Sequence, residues 1–596
     1  MKKQDLIIIV VLFALWMGWP FIDRLVVKKF FPADDKPPAA STEIPGAATN
    51  RLSLPSETTL SEAPVKTEVE AAPTAPTIEA EPAEPVRPST PEQTALLSND
   101  EVEIKVSARG GTVVSAVLKN YRQTAEEDSA PVFLEFNAQR PLAWLKEPAF
   151  SDANDFQMTP SADGRSIRFE QTSSAGITLV RTITLDTNYL LRVVDDLSNA
   201  TTNDLTLDSG LQMGSMSNLM GELQEKSVVS LGVDTLSPGG EGVQYWSKPF
   251  PKWFDEIKEE KQLTKLPVVI DWPLNRPVDW VAVKNRYFTQ ILTPEGGADR
   301  CVVTVRRETD PREAQDPAFK PKMTGTKEVS ASVYFAELPI PAGQTVSRSL
   351  TYYIGPKKFS ELSRFGMHQV DIMEFGFWRP VGKVLLIIMN WIHDYIWPHN
   401  YGLAIILLTI LVRIVFWPVT HKSTESMKKM QAIQPLITEM RAKYKDNPQR
   451  QQQEMMALYK EHKVNPLGGC LPMLIQIPVF IALFVVLRSA IELRFSSFLW
   501  LKDLSAPENL FAGMLPFGLS LNILPILMAA TMAWQQKLTP TGGDPQQQKI
   551  MMFMPVMMLV FFYNFASGLS LYWTTNQCLM IVQLLMQKRK QAKKKS

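Results

Sequence analysis

"LAIILLTILVRIVFWPV", residues Leu403 to Val419, holds sixteen uncharged residues and one charged one, Arg413. A run this apolar fits a helix crossing a membrane, which takes about 20 residues at ~1.5 Å each. The guanidinium cannot shed its charge. A charge at the bilayer centre costs about 2.5–3.5 kcal/mol on insertion scales, and such residues usually face a cavity. Two readings of Arg413 compete. Six residues, about 9 Å of helix, separate it from Val419, so a snorkelling side chain reaches part of the way to the inner surface. The other reading is a water-filled groove open to the cytoplasm. Thr409 lies four residues earlier, and Thr420 and His421 lie seven and eight later. These spacings put all four near one helix face.

Four further apolar stretches follow: Leu467 to Leu487, Pro516 to Trp534, Ile550 to Phe565 and Leu569 to Met586. At the N-terminus, Lys2 and Lys3 precede the uncharged stretch Leu6 to Ile22. A signal peptide is the alternative, but Trp16, Trp19, Pro20 and Phe21 stand where it would carry small residues, so the stretch reads as an uncleaved anchor with its N-terminus expected in the cytoplasm. Six spans are therefore expected. The loop from His421 to Asn465 carries nine lysines and arginines, and the tail adds Lys588, Arg589, Lys590, Lys593, Lys594 and Lys595. Both are cytoplasmic by the positive-inside rule, as six spans from that start require.

The spans after the anchor contain polar groups but no Asp, Glu or His. Gln476 sits in one, and "YWTTNQ", Tyr572 to Gln577, sits in the last. Such groups either bond across helices or line a hydrated cavity. A proton-coupled transporter normally needs an acidic or histidine relay, so that class loses support. No serine–histidine pair or paired membrane aspartates favour an intramembrane protease. Arg413 thus has no fixed counter-ion in the spans, and its partner is expected from outside the protein.

The remaining sequence divides by composition. Pro32 to Glu92 holds twelve prolines, eleven acidic residues against four basic ones, and no aromatic residue. It cannot bury enough apolar surface to fold and reads as a flexible tether. From Asn99 to Pro356, segments such as "ITLVRTITLD" and "EVSASVYFAEL" alternate apolar and polar residues between turn signals such as "DTN", "SPGG" and "PAGQ". That pattern predicts a large antiparallel β-sandwich on the outer side of the membrane. "VGKVLLIIMNWIHDYIW", Val381 to Trp397, reads as a helix lying in the membrane interface, against the plainer reading of a helix packed on the β domain. The basic loop reads as a helical hairpin, with Asn447-Pro448 starting its second helix and Pro435 kinking its first. Such a hairpin suits RNA, acidic lipid or a protein partner.

Other classes find little support. The formal net charge of +1 gives no global signal for nucleic acid. Three cysteines, with Cys470 and Cys578 in apolar stretches and Cys301 alone elsewhere, do not make a disulfide scaffold. No metal-ligand spacing and no GxxxxGK[ST] loop occurs, so no metal, cofactor or catalytic centre is expected. Sixteen of the 26 methionines follow Val419. Their flexible thioethers suit varied apolar partners, or simply fill gaps in a bundle.

"EMMALYKEHKVNPLGGCLPMLIQIPVF", "YGLAIILLTILVRIVFWPVT", "QQKIMMFMPV" and "SGLSLYW" closely resemble the YidC/Oxa/Alb family of membrane protein insertases, strongly so from Asn400 to Lys588. The anchor and large β domain are similar to its Gram-negative form, by architecture more than by motif. The resemblance implies an inner-membrane protein, with a five-helix core beside the anchor and a periplasmic β-supersandwich. It implies a hydrophilic groove open to cytoplasm and lipid and closed to the periplasm. Arg413 matches the groove arginine, and Thr409 a groove-lining position before it. Gln476, Pro478 and Phe480 match one wall. Tyr572 and Trp573 match the substrate-contacting aromatic pair of the last span, with Trp573 where the family commonly has tyrosine. Implied partners are nascent membrane proteins, the Sec translocon, the ribosome and membrane lipids, with no DNA. An anion transporter built on Arg413 and a periplasmic scaffold are the competing classes. The chain then divides into an anchor (1–24), a disordered periplasmic tether (25–96), a periplasmic β-sandwich (97–360) and an interfacial amphipathic helix (377–398). A transmembrane helix (400–420), the cytoplasmic hairpin (421–465), four further transmembrane helices (466–588) and a basic tail (589–596) complete it.

Overall fold

The computed structural model describes residues 92–595, except 137–140, 148–149, 151–155, 220–230, 241, 248–249, 317–318, 322–324, 446, 463, 465–470, 513, 515–519 and 539–544. The expected anchor and most of the expected tether lie outside the described residues. So does Cys470.

Strict alternation makes the strands of the β region. In Ile177–Leu185 every second residue is buried, as a sheet with one covered face requires. This strand pairs antiparallel with Ser166–Thr172 and with Leu190–Asn199. All three belong to a nine-stranded sheet that ends on Gln157–Pro160 at one edge and Gln244–Tyr245 at the other. A second sheet of six strands includes Val269–Leu274, Arg300–Arg307 and Thr326–Tyr334. Strands Gly232–Leu236 and Trp280–Lys284 of the first sheet touch Thr326–Tyr334 of the second. All ten residues of those two strands are buried, which marks where the sheets pack face to face. A third sheet of four strands spans Thr94–Ser98 to Pro131–Glu135.

Several core positions carry charges, each in a pair. Arg181 points inward with its side chain fully buried. Register places Asp195 directly opposite on the next strand. The guanidinium grips it twice, Nε to Oδ1 at 2.6 Å and NH2 to Oδ2 at 2.8 Å. NH1 donates to the carbonyls of Gly111 and Ala143. A buried charge persists only when it is paired and bonded in this way.

The apolar core runs without a break from Leu97 in the sandwich to Tyr572 in the helical part. Polar contacts reinforce the junction. Arg286 donates to the carbonyls of Arg488 and Ser505, both at 3.0 Å, and the Tyr287 hydroxyl meets Ser505 Oγ at 3.0 Å. On the other side Lys284 pairs with Asp234 and with Glu374, both at 2.5 Å. Asp371 pairs with Arg379 and lies 3.6 Å from Lys383.

Those last two residues open helix α1 (Arg379–Tyr395). Its inner face buries Leu385, Leu386, Met389 and Ile392, against helices α2 (Tyr401–Ala432) and α5 (Leu471–Ser489). Trp391, Tyr395 and Trp397 remain exposed. The helix is therefore two-faced, and it packs on other helices as well as beside the sandwich. Helix α2 has 32 residues, about 48 Å, well beyond the ~30 Å of a hydrocarbon core. It continues through His421, where the loop was expected to begin. The hairpin follows as α3 (Gln434–Lys443) and α4 (Pro448–Glu461). Asn447 caps α4, its Oδ1 accepting from Arg450 N at 3.1 Å, as the Asn-Pro pair predicted. Pro435 stands in the first turn of α3, where a proline costs no hydrogen bond. It begins a new helix and kinks none. Ile433, Ile437 and Val464 form a small core of their own.

Helices α6 (Ile523–Leu538), α7 (Pro545–Phe562) and α8 (Ser567–Lys595) complete the chain. Helix α6 starts seven residues later than the apolar stretch suggested. Asn522 just before it is buried and bonds the Asn509 amide and the Tyr563 carbonyl, both at 2.7 Å. Among the described residues only Tyr401–His421 is long and apolar enough to cross a membrane by itself; Gln476–Ser489 and Met552–Phe562 are shorter apolar helices. The architecture is a large β-sandwich followed by a helical C-terminal part.

Candidate functional site

Thr409 and Arg413 lie one helical turn apart on α2, but they do different things. Thr409 is buried and spends its hydroxyl on the Ile405 carbonyl of its own helix at 2.6 Å, a local bond typical of threonine inside an apolar helix. Arg413 reaches across to α8, where NH2 donates to the Asn576 carbonyl at 3.2 Å. Its Nε is buried with no hydrogen-bond partner among the described residues. No described carboxylate pairs with it, and a guanidinium with a single carbonyl bond has most of its five donors to offer.

A cavity of about 20 Å³ lies against this group, lined by Val412, Arg413, Phe416, Val419 and Thr420 of α2, Gln476 and Val479 of α5, and Asn576 of α8. That volume admits about one water molecule at rest. Thr420 falls on this face as its spacing predicted, while its hydroxyl bonds the Phe416 and Trp417 carbonyls. His421 is exposed and does not line the cavity.

Gln476 connects the cavity to the aromatic residues. Its Nε2 donates to the Tyr572 hydroxyl at 3.3 Å, and Tyr572 is almost wholly buried. Trp573 packs among aromatic rings. Its ring meets Phe480 edge-to-face at 4.9 Å and lies 5.7 Å from Phe562, within the range of favourable aromatic pairs. Pro478 lies inside α5. It lacks an N–H and leaves a backbone carbonyl of the preceding turn without its helical donor. The structure thus brings Arg413, Gln476, Phe480, Tyr572 and Trp573 together across three helices. Of the expected site residues only Arg413 and Gln476 line the cavity; Thr409, Pro478, Phe480, Tyr572 and Trp573 do not.

Helix α8 is unusual in its polar interior. Ser570 Oγ, Trp573 Nε1, Thr574 Oγ1 and Gln583 Nε2 are buried with no described partner. Each such atom costs about 1–3 kcal/mol unless solvent or another chain meets it. The opposite surfaces are apolar. Ile414 and Val415 of α2 and Val560 of α7 are each more than 60% exposed, a degree of apolar exposure that marks a surface made for lipid or protein. Sequence reasoning missed the Asn576 carbonyl, the apolar lining by Val412, Phe416 and Val479, and the run of orphaned donors. Only part of the last had a signal: Trp573 and Thr574 lie in the polar stretch Tyr572 to Gln577, and Ser570 and Gln583 do not.

The family described as "60Kd inner membrane protein" matches residues 391–595, and the "YidC periplasmic domain" matches residues 95–388. A curated "Membrane protein insertase YidC" from Syntrophobacter fumaroxidans is 35% identical over 500 residues, covering 80% of this chain and 83% of that protein. One from Syntrophus aciditrophicus is 33% identical, covering 83% of this chain and 87% of that protein. The solved structure described as "Active YidC insertase crystal structure with the first transmembrane domain resolved" is 19% identical, with a TM-score of 0.34, over 84% of this chain and 93% of that one.

Proposed function

This chain belongs to the YidC family of membrane protein insertases, and we propose that it inserts nascent membrane proteins through a groove lined by Arg413, Gln476, Tyr572 and Trp573. The observation that carries this reading is the buried Arg413 guanidinium, bonded to one backbone carbonyl of α8, a helix that itself carries further orphaned polar atoms. Such an arrangement is costly alone and becomes favourable when water or a polar peptide segment enters. The mechanism is physical. A substrate's hydrophilic tail enters from the cytoplasm, and the hydrated groove shortens the apolar path it must cross. Arg413 attracts acidic groups on the way. The substrate's apolar segment slides past Phe480 and Trp573 into lipid, and membrane partitioning drives release. No nucleotide is required.

The proposed architecture has six spans, with both termini in the cytoplasm, the β domain in the periplasm and a five-helix groove domain after the anchor. The hairpin α3–α4 faces the cytoplasm, where the ribosome and the Sec translocon are its proposed partners. Thiol labelling tests this orientation. Cys301 is fully buried and Cys578 is exposed, so the native cysteines are first replaced by alanine. A cysteine at the exposed Glu135 should then react with a membrane-impermeant reagent on spheroplasts, and one at Ser596 should not. The reverse pattern contradicts the topology.

The roles of the parts are tested by deletion. Removing much of the β domain, with the first span and α1 kept, should leave most insertion activity. Replacing Lys422 to Lys463 by a short flexible linker should remove most of it. A β-domain deletion that abolishes insertion at normal protein level would favour a periplasmic scaffold instead.

A further inference from the structure

A pocket of about 320 Å³ opens between the β domain and the helices, within the range of small-molecule sites. Arg122 and Lys358 line it from the β domain, and Tyr401, Glu492, Arg494 and Phe495 line it from the helical part. Tyr401 begins α2, and Glu492 follows the end of α5. In the topology proposed above, on which this inference rests, both lie at the depth of the outer-leaflet headgroups.

Glu492 is the unexplained member. Both carboxylate oxygens are buried without a hydrogen-bond partner among the described residues. Burial pushes its pKa up, against its own backbone amide, the Lys358 ammonium and the Asn390 amide, which favour the charged form. A buried carboxylate left this way costs free energy that a cationic donor would recover. The cations around it differ in availability. Arg494 donates to the Arg122 carbonyl at 2.9 Å and the Gln123 carbonyl at 3.2 Å, and it stacks on Phe495 at 4.3 Å, so it fastens the two parts together. Arg122 spends one long bond each on Glu126 O and Phe495 O, at 3.2 and 3.4 Å, and keeps other donors. Lys358 lies half-buried at the pocket wall.

We propose that this pocket binds the headgroup of an amine-bearing phospholipid, with the phosphate held by Arg122 and Lys358 and the primary ammonium held by Glu492. Opposite charges in one small group match the two poles of the pocket. An ammonium supplies three N–H donors to the orphaned oxygens. A quaternary choline supplies none, and a glycerol headgroup offers only neutral hydroxyls.

The test is native mass spectrometry of the full-length protein from micelles holding equal amounts of phosphatidylethanolamine, phosphatidylcholine and phosphatidylglycerol. Wild-type protein should retain the ethanolamine lipid over the choline lipid. Glu492→Gln should lower that ratio about tenfold, the effect of losing one charge-assisted hydrogen bond. Lys358→Gln should weaken both lipids, since both carry the phosphate. Titration of lipid-free protein with soluble phosphoethanolamine separates the sources: binding assigns the site to the headgroup alone, and binding of intact lipid only assigns it to the membrane. An unchanged ratio in Glu492→Gln, or no preference in the wild type, overturns the proposal. Insertion assayed on the same samples keeps the two readings apart, since normal insertion with no lipid preference removes only the pocket.

Discussion

Replacing Arg181 by methionine, with Asp195 left in place, is expected to destabilise the β domain by about 3–5 kcal/mol. Methionine keeps much of the buried length, so the loss comes mainly from the stranded carboxylate. Asp195 would lose both of its bonds to the guanidinium, and the carbonyls of Gly111 and Ala143 would lose a donor. Breaking one side of a buried pair exposes the full cost of desolvating the other. The double change Arg181→Met with Asp195→Leu should recover most of the stability. Hydrogen exchange over Ile177–Leu185 and Leu190–Asn199 in the full-length protein measures both. A loss below about 1 kcal/mol in the single variant would mean that water reaches Asp195 and that the pair is not a core element. Insertion is expected to persist in both variants, because the pair lies in the sandwich and not among the helices that hold Arg413.

Arg413→Ala is expected to reduce insertion in proportion to the acidity of the translocated tail. One model substrate whose short tail carries zero, one or two aspartates separates the effects. Each aspartate should widen the gap between variant and wild type by about 1 kcal/mol, between the values for exposed ion pairs and for charged hydrogen bonds. That is about fivefold per aspartate. Arg413→Lys should fall between the two, since lysine keeps the charge and loses the planar fork. Equal ratios across the series would leave Arg413 with no electrostatic role, only that of bracing α2 against α8 through the Asn576 carbonyl.

The helical site was legible in the sequence where chemistry contradicts its surroundings. A charge amid sixteen uncharged residues, and four polar residues inside an apolar stretch, both mark positions the structure brings together. Its partner atoms were not legible. The oxygen that receives Arg413 belongs to a backbone 163 residues away, and any residue type supplies a carbonyl. Thr409 shows the converse. Its spacing put it on the Arg413 face, yet a hydroxyl satisfied by its own helix has little left to give.

Helix ends were misplaced for a related reason. Hydropathy marks where lipid would stop, and α2 and α8 carry on as helices past that point to Ala432 and Lys595. Nothing in the chemistry of the basic residues there breaks a helix. Local capping read better, because Asn447 and Pro448 act on their own turn. Arg181 lay between. It went unremarked in the sequence, although it shares the alternation of the buried Leu179 and Ile183, and the opposing Asp195 is read from the strand pairing. Its third and fourth contacts, to Gly111 and Ala143, come from elsewhere in the β domain and needed the fold.

The central claim is that the substrate passes between Arg413 and the aromatic wall of α8. A photo-crosslinking residue placed at Trp573, in membranes engaged with a stalled nascent chain bearing one apolar segment, tests it most directly. Position Val560, exposed on α7, serves as the lipid-facing control. Crosslinks to the nascent chain should form from position 573, shift along the substrate as the chain lengthens, and be rare from position 560. Crosslinks of equal yield from both positions, or none from position 573, would contradict the groove.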